Sequence, residues 1–240
     1  APENTVDLWH IDASTAVDCI EICRRVLAES EVQRADRFYF ERHRVRFAAI
    51  RAAMRTILAG YLETAPEAIV FSYGAKGKPD LAPGFRESGL KFNLSHSREH
   101  ALLAVTQCAC VGADIEYIDE QFGTDEIANR FFSPQEANTL RALPAALRPA
   151  AFFSCWTRKE AYIKAVGEGL SLPLDSFDVA FGPGVTPKLL RVQSSSQELS
   201  RWSMYDVPAP PGFAAALVVE GQQHRLQHRV WEWRTLIEHG

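Results

Sequence analysis

The 240 residues of this chain carry a formal net charge of −4 at pH 7, and 47% of them are hydrophobic. A chain of this length can bury a substantial core in one large or two small domains. The excess of negative charge argues against general binding to nucleic acid or membrane surfaces, and no segment approaches the roughly 20 apolar residues of a membrane span.

Hydrophobic periodicity predicts helices and short strands in the first half of the chain, in the following order. They are a strand at 6–11, helices at 13–27 and about 32–62, and strands at 69–73, 90–94, 101–106 and 110–116. The second half predicts helices at 125–143 and 149–166, followed by strands at 177–181, 188–192, 201–207, 213–219 and 227–233.

Both halves therefore contain helices and a few strands, although their residues do not repeat clearly. We predict an α+β fold with two similar halves, residues 1–116 and 125–240, joined by a linker at 117–124. In each half, helices are expected to pack on short antiparallel sheets.

The cysteines and the N-terminus indicate a cytoplasmic protein. There are five cysteines with no CxxC pair, which favours reduced thiols. No signal peptide is recognised at the N-terminus.

The helix predicted at 149–166 contains three charged residues beside an aromatic stripe. Glu160 and Lys164 are four residues apart and share one edge of the helix. Lys159 falls within the apolar stripe, where a charge is costly unless it finds a partner. A solvated Glu–Lys pair that merely supports the helix is the alternative interpretation, unless other segments bring a ligand.

The strand that ends at Glu116 contains two carboxylates on one face. Alternation places Val111, Ala113 and Ile115 on one side and Asp114 and Glu116 on the other. This pattern fits a half-exposed strand end, or one half of a site for a hard cation such as Mg²⁺, which prefers carboxylate and phosphate oxygens.

Basic and hydroxyl groups elsewhere suit a phosphorylated ligand. Seven arginines lie between Arg34 and Arg55, which indicates an anionic ligand, an acidic partner or simply a solvated helix face. Lys76 and Lys78 lie on a glycine turn, and Ser95 and His96 follow a strand. Together with the carboxylates, they predict a ligand with several phosphates and phosphoryl-type chemistry at a Mg²⁺ site.

Five motifs in this order resemble the 4′-phosphopantetheinyl transferase family, in its larger surfactin-type and cyanobacterial-like branch. The motifs are Gly77-Lys78-Pro79, Phe92-Asn93-Leu94-Ser95-His96-Ser97, Val111-Gly112-x-Asp114-Ile115-Glu116, Arg130-Phe131-Phe132-Ser133 and Trp156-x-x-Lys159-Glu160-Ala161-x-x-Lys164. The resemblance spans roughly residues 34–181. One motif alone would be weak evidence for the family, but five motifs in register are specific to it.

The resemblance implies an enzyme that moves the phosphopantetheine arm of coenzyme A onto a serine of an apo acyl or peptidyl carrier protein, releasing 3′,5′-ADP. The larger branch is similar to two small family units fused into a pseudo-dimeric monomer. The carrier would bind transiently, and neither nucleic acid nor membrane is expected as a partner. Fatty-acid, polyketide and peptide synthesis all remain open as the pathway.

The resemblance also implies a role for each residue. Asp114, Glu116 and Glu160 would hold Mg²⁺, with Mn²⁺ possible, and Glu116 would bind directly or through water. Glu160, or a metal-bound water, would take the proton from the carrier serine, and Lys164 would stabilise charge on the phosphate. The expected contacts to coenzyme A are Arg34, Lys76, Lys78, Asn93, Ser95, His96, Lys159 and Lys164.

Two positions depart from the family pattern. Ala113 replaces a branched aliphatic residue beneath the metal site, which should loosen the packing there. Glu31 stands where some relatives have a basic residue, so one phosphate contact is expected to be missing.

Two other functions remain to be separated from the transferase. A metal-dependent hydrolase of coenzyme A or related nucleotide pyrophosphates would need no carrier, and a binding module would keep the pocket without catalysis. The intact Asp114, Glu160 and Lys164 argue against the binding module. We expect Phe122, in the predicted linker, to pack against the carrier.

Overall fold

The computed structural model describes residues 4–16, 19–74, 77–167, 169–193 and 196–239. The strands in chain order are β1 Thr5–Asp12, β2 Phe71–Tyr73, β3 Pro79–Leu81, β4 Leu90–Ser97, β5 His100–Gln107, β6 Val111–Tyr117, β7 Phe177–Val179, β8 Leu189–Val192, β9 Trp202–Asp206, β10 Phe213–Glu220 and β11 Arg225–Val230. The α-helices are α1 Ile20–Arg25, α2 Glu29–Asp36, α3 Glu41–Leu62, α4 Thr124–Phe131, α5 Pro134–Ala142, α6 Arg148–Val166, α7 Glu198–Arg201 and α8 Arg234–His239. The fold is thus α+β, as predicted.

The chain divides into two compact units. The first contains Ala1–Gly74, Pro79–Cys108 and Leu226–Gly240, and the second contains Ala75–Lys78 and Ala109–Arg225. This division differs from the predicted boundary at residue 116, because β6 pairs along its whole length with β10. The C-terminal segment returns to the first unit, where β11 lies beside β1. The predicted linker at 117–124 shrinks to residues 118–123, since β6 includes Tyr117 and α4 begins at Thr124.

The first unit is built on a four-stranded sheet in the order β11-β1-β5-β4, whose pairs β1–β5 and β5–β4 are antiparallel. The longest helix, α3, contributes its alanine-rich middle to the core together with Met54, Ile57 and Leu58. The helix predicted at 32–62 is two helices, because the backbone is extended at Phe40, where Tyr39 and Phe40 are exposed. The helix predicted at 13–27 is reduced to a 3₁₀ turn at Ala13–Thr15 and the short α1.

Glu31 has a structural role in the first unit. Its carboxylate is buried and accepts hydrogen bonds from Arg51 at 2.7 Å and Arg55 at 2.5 Å. Burial opposes ionisation, but the two guanidinium groups outweigh it and hold the pKa of Glu31 below its usual value. Glu31, which stands where some relatives have a basic residue, therefore completes a buried ion cluster with Arg51 and Arg55.

The second unit is built on the antiparallel sheet β6-β10-β9, against which α6 packs. The helical segment predicted at 125–143 is interrupted at Phe132, and α5 begins with Ser133 as its N-cap. The Ser133 side chain accepts a hydrogen bond from the Glu136 amide, and the Glu136 carboxylate accepts one from the Ser133 amide. This reciprocal pair is a capping box, and Pro134 occupies the start of the helix, where proline costs no hydrogen bond.

In the part of the chain that the structure describes, we find no helix of the length and hydrophobicity that crossing a bilayer requires.

Candidate active site

The site lies in the second unit, where α6 packs against β6 at Gly112. A Cβ atom on Gly112 would lie 2.1 Å from the carbonyl oxygen of Ala161 and 2.4 Å from the amide nitrogen of Ala165. Strand and helix backbones therefore touch directly, and only glycine leaves the necessary space. This close approach brings the second half of α6 beside the residues that follow Gly112 on β6.

Asp114 and Lys164 meet across this contact. Asp114 is 2% exposed, and its Oδ1 accepts a hydrogen bond from Lys164 Nζ at 2.6 Å. Lys164 Nζ also donates to the backbone carbonyl of Ala113 at 3.3 Å. A buried carboxylate needs such a cationic partner, because desolvation would otherwise penalise its charge.

Glu160 completes the cluster one helical turn before Lys164. Its pKa is raised, first by partial burial and then by the negative charges of Asp114 and Glu116, while Lys164 acts in the opposite direction. Helix and strand thus place three carboxylates within electrostatic reach of one another. A group that holds its proton more tightly than usual is a better base when it is ionised.

The chemistry of these donors suits a hard divalent cation, but they do not form a ready-made cage. Mg²⁺ prefers carboxylate oxygens, and a cation would relieve the part of the raised pKa of Glu160 that comes, after burial, from repulsion by Asp114 and Glu116. Across the described ranges, however, no group of three or more His, Cys, Asp or Glu side chains is arranged to hold a metal ion. Closing around a cation would require these side chains to move.

Lys159 does not fit the expected contact with a phosphate. Its side chain is fully buried, and Nζ lies 2.8 Å from a carboxylate oxygen of Glu136. Nζ also donates to the backbone carbonyls of Leu174 at 2.7 Å and Phe177 at 2.6 Å. The sequence correctly placed this charge in the apolar stripe, and the partner that stabilises it is Glu136 rather than a ligand.

Of the two lysines on the glycine turn, Lys78 lies within the described residues and its ammonium group contacts backbone carbonyls. Lys78 Nζ donates to the backbone carbonyls of Lys164 at 2.5 Å and Val111 at 3.3 Å. Lys76 lies outside the described residues.

Four further residues expected to contact coenzyme A belong to the first unit. Arg34 on α2 lines a cavity of about 550 Å³ together with Ser30, Gln33, Arg37 and Phe38. Its guanidinium also lies 5.2 Å from the centre of the Phe47 ring. On β4, Asn93 and Ser95 are buried and His96 is exposed.

Sequence reasoning missed Gly112 and Arg37. Gly112 was visible as part of a motif, but its close approach to α6 depends on two segments about 50 residues apart. Arg37 was counted among the arginines of its region, and its spacing of three residues from Arg34 already puts the two side chains on one helix face, but the cavity that they line is seen only in the structure.

Comparison with known proteins places this architecture in a family. Residues 110–218 match the 4′-phosphopantetheinyl transferase superfamily, and residues 15–108 match the model "4′-phosphopantetheinyl transferase, N-terminal". The chain is 39% identical to 4′-phosphopantetheinyl transferase HetI of Nostoc sp. over 216 residues, which are 90% of this chain and 88% of the relative.

The chain is also similar to a second curated relative and to a solved structure. The chain is 33% identical to 4′-phosphopantetheinyl transferase Sfp of Bacillus subtilis over 147 residues, covering 61% of this chain and 63% of the relative. The crystal structure of Helicobacter pylori holo-[acyl-carrier-protein] synthase in complex with coenzyme A is a weaker match. It has a TM-score of 0.37 and 21% identity, and the match covers 46% of this chain and 99% of that chain. On the extent of its identity to HetI and the two matching models, this chain belongs to the 4′-phosphopantetheinyl transferase family.

Proposed function

We propose that this chain transfers the 4′-phosphopantetheine arm of coenzyme A to a serine of an apo acyl or peptidyl carrier protein. Membership of the family supports the reaction. The observation that carries the assignment to this site is the cluster of Asp114, Glu160 and Lys164, which joins β6 to α6.

The reaction exchanges a phosphoanhydride bond of coenzyme A for a phosphodiester bond to serine. The serine Oγ forms a bond to the phosphorus that carries the pantetheine arm, and the bond from that phosphorus to the bridging oxygen of the diphosphate breaks. The bridging oxygen leaves with the electron pair as part of 3′,5′-ADP. The serine proton must be taken up by a base close to the attacking oxygen.

Glu160 is the proposed base. Its raised pKa gives its carboxylate a greater affinity for a proton than an exposed glutamate has. Lys164 would exchange its contact with Asp114 for an oxygen of the diphosphate and stabilise the charge that develops there. Such preorganised electrostatic help typically contributes about 10²–10³ in rate.

Asp114, Glu116 and Glu160 are the proposed ligands of Mg²⁺, with Mn²⁺ as the alternative ion. When bound, the ion would neutralise the diphosphate and help to orient it. Partly exposed Glu116 could bind directly or through water.

Contacts to the rest of coenzyme A are proposed for Arg34, Lys76, Asn93, Ser95 and His96. The cavity that Arg34 shares with Arg37 supports an anionic ligand there, because two guanidinium groups suit phosphate oxygens. Lys159 is omitted, since its charge is already balanced in the core.

The carrier is proposed to dock at Phe122. This ring is 46% exposed and packs on Phe152 and Phe153, with centroids about 6 Å apart. A rigid aromatic anchor of this kind is typical of protein interfaces. The monomeric state, the pseudo-dimeric relation of the halves and the cytoplasmic location stay predictions.

The decisive experiment incubates the protein with Mg²⁺, coenzyme A and an apo carrier and follows the carrier by mass spectrometry. We expect the carrier to gain one phosphopantetheine, and Glu160→Gln to slow the gain by about 10²-fold or more. Free phosphopantetheine with an unmodified carrier would instead support the hydrolase. Repeating the assay with a chelator tests the metal.

A further inference from the structure

Lys78 joins the end of α6 to the beginning of β6. Its ammonium group donates to the carbonyl oxygen of Lys164 at 2.5 Å and to that of Val111 at 3.3 Å. Lys78, Val111 and Lys164 all belong to the second unit, although Lys78 lies in the short segment between β2 and β3. Lys78 thus connects α6 to β6, although both elements lie far from it in the sequence.

The acceptor on α6 is well suited to a cation. The carbonyl of Lys164 is among the last four of the helix, which ends at Val166 and has no further turn to supply amide donors. The helix dipole also favours positive charge at this end. A hydrogen bond from an ammonium group is roughly twice as strong as one between neutral partners.

The two contacts of Lys78 lie next to the reacting groups. Lys78 holds the backbone of Lys164, while the side chain of Lys164 is held by Asp114 at 2.6 Å. Val111 lies three residues before Asp114, and Gly112, where strand and helix backbones touch, lies between them. Lys78 and Lys164 therefore tie α6 to β6 at two points on either side of this close approach.

We infer that Lys78 is a positioning residue for the proposed transferase reaction, and not a contact to a phosphate of coenzyme A. Its ammonium group holds the C-terminal end of α6 against β6 and so keeps Lys164 aligned with Asp114. Losing this tie leaves the charged groups present but lets the helix end move relative to the strand. Misplacement by about 1 Å can cost 10²-fold in rate while leaving the substrate bound.

The test replaces Lys78 by Met, which keeps the length of the side chain and removes its charge. For Lys78→Met we expect kcat for carrier modification to fall about tenfold or more, with KM for coenzyme A changed by less than about twofold. The same loss is expected with 3′-dephospho-coenzyme A as donor. Lys78→Arg keeps a cation and should recover part of kcat. Lys188→Met, at an exposed lysine of the same unit, serves as the control and should match the parent protein.

Several outcomes overturn the inference. A raised KM with unchanged kcat, or a loss seen with coenzyme A and absent with 3′-dephospho-coenzyme A, would make Lys78 a phosphate contact. Unchanged kcat and KM would remove any role for it. If Lys78→Met fails to fold by circular dichroism, Lys78→Arg decides, since a raised KM at the parental kcat contradicts positioning.

Because the inference rests on the proposed function, a separate measurement keeps the two apart. Calorimetric titration with coenzyme A is expected to give the same affinity for Lys78→Met and the parent protein. A loss of affinity of about tenfold would refute the inference whether or not any carrier is modified. Failure of the parent protein to modify carriers would refute the proposed function alone.

Discussion

Substituting Gly112 by Ala perturbs a place where the backbones of α6 and β6 touch. The new Cβ would lie 2.1 Å from the Ala161 oxygen, 2.4 Å from the Ala165 nitrogen and 2.9 Å from the Lys164 carbonyl carbon, whereas real Cβ contacts essentially never fall below 3.0 Å. All three atoms are backbone, so no side chain can turn away. Helix and strand must separate by at least about 0.9 Å to reach even this limit.

The part of α6 that must move away from β6 is the turn that carries Glu160 and Lys164. Its movement stretches the 2.6 Å contact from Lys164 to Asp114. We expect the rate of carrier modification to fall by about 10²-fold, since reacting groups tolerate little misplacement. Forcing a methyl group into a closed contact should also destabilise the protein by about 1–3 kcal/mol.

The assay compares Gly112→Ala with Gly60→Ala, measuring carrier modification and thermal unfolding for both. Gly60 lies on α3, and a Cβ there would meet nothing within 4 Å. Alanine at Gly60 should leave the rate unchanged and raise stability, because it is the better helix former by up to about 1 kcal/mol. A Gly112→Ala protein with the parental rate would show that the close approach does not position the site.

Three further predictions concern the core, the pH dependence and the docking surface. Lys159→Met leaves the carboxylate of Glu136 buried without its cation and should destabilise the protein by about 3–5 kcal/mol. Adding Glu136→Gln to this variant should recover much of the lost stability, measured by thermal unfolding. If the double variant recovers no stability, the pairing of Lys159 with Glu136 is contradicted. Because the pKa of Glu31 is lowered in the folded protein, its ion cluster stabilises the fold fully above the ordinary glutamate value of about 4.3, and this contribution is lost as the pH falls through the folded pKa. The unfolding free energies of the parent and Glu31→Gln should therefore differ at pH 7 and converge as the pH falls below the ordinary glutamate value and through the folded pKa, whereas a pH-independent difference would refute the role of charge. Phe122→Ala should raise KM for the carrier by about tenfold without changing KM for coenzyme A. The control Val185→Ala, at an exposed apolar residue of the same unit, should change neither KM. An unchanged KM for the carrier in Phe122→Ala would exclude Phe122 from the docking surface.

Local patterns were sufficient for much of the site. Spacing by four residues put Glu160 and Lys164 on one edge of a helix whose predicted bounds, 149–166, nearly coincide with α6. Strand alternation separated Asp114 from its apolar neighbours. These features depend on residues within one helical turn or one pleat, which a periodicity detects directly.

Pairings between distant segments could not be predicted in the same way. The buried cation of Lys159 clearly needed a partner, but nothing in the sequence selected Glu136 on α5. The compact units divide the chain differently from the predicted halves, because β6 pairs with β10, about 100 residues later in the chain. Lys78 was expected to contact a phosphate, since a lysine on a glycine turn looks the same whether its ammonium group meets a ligand or a carbonyl.

Motifs and periodicity were enough to identify the charged groups of the site, the helix and strand that carry them, and the family of the chain. Packing was needed to learn that Lys164 balances Asp114, that Lys159 is sealed in the core and that Lys78 ties α6 to β6. This is because a charged side chain is stabilised by whatever its environment brings within about 3 Å. That environment is assembled by packing between segments far apart in the chain.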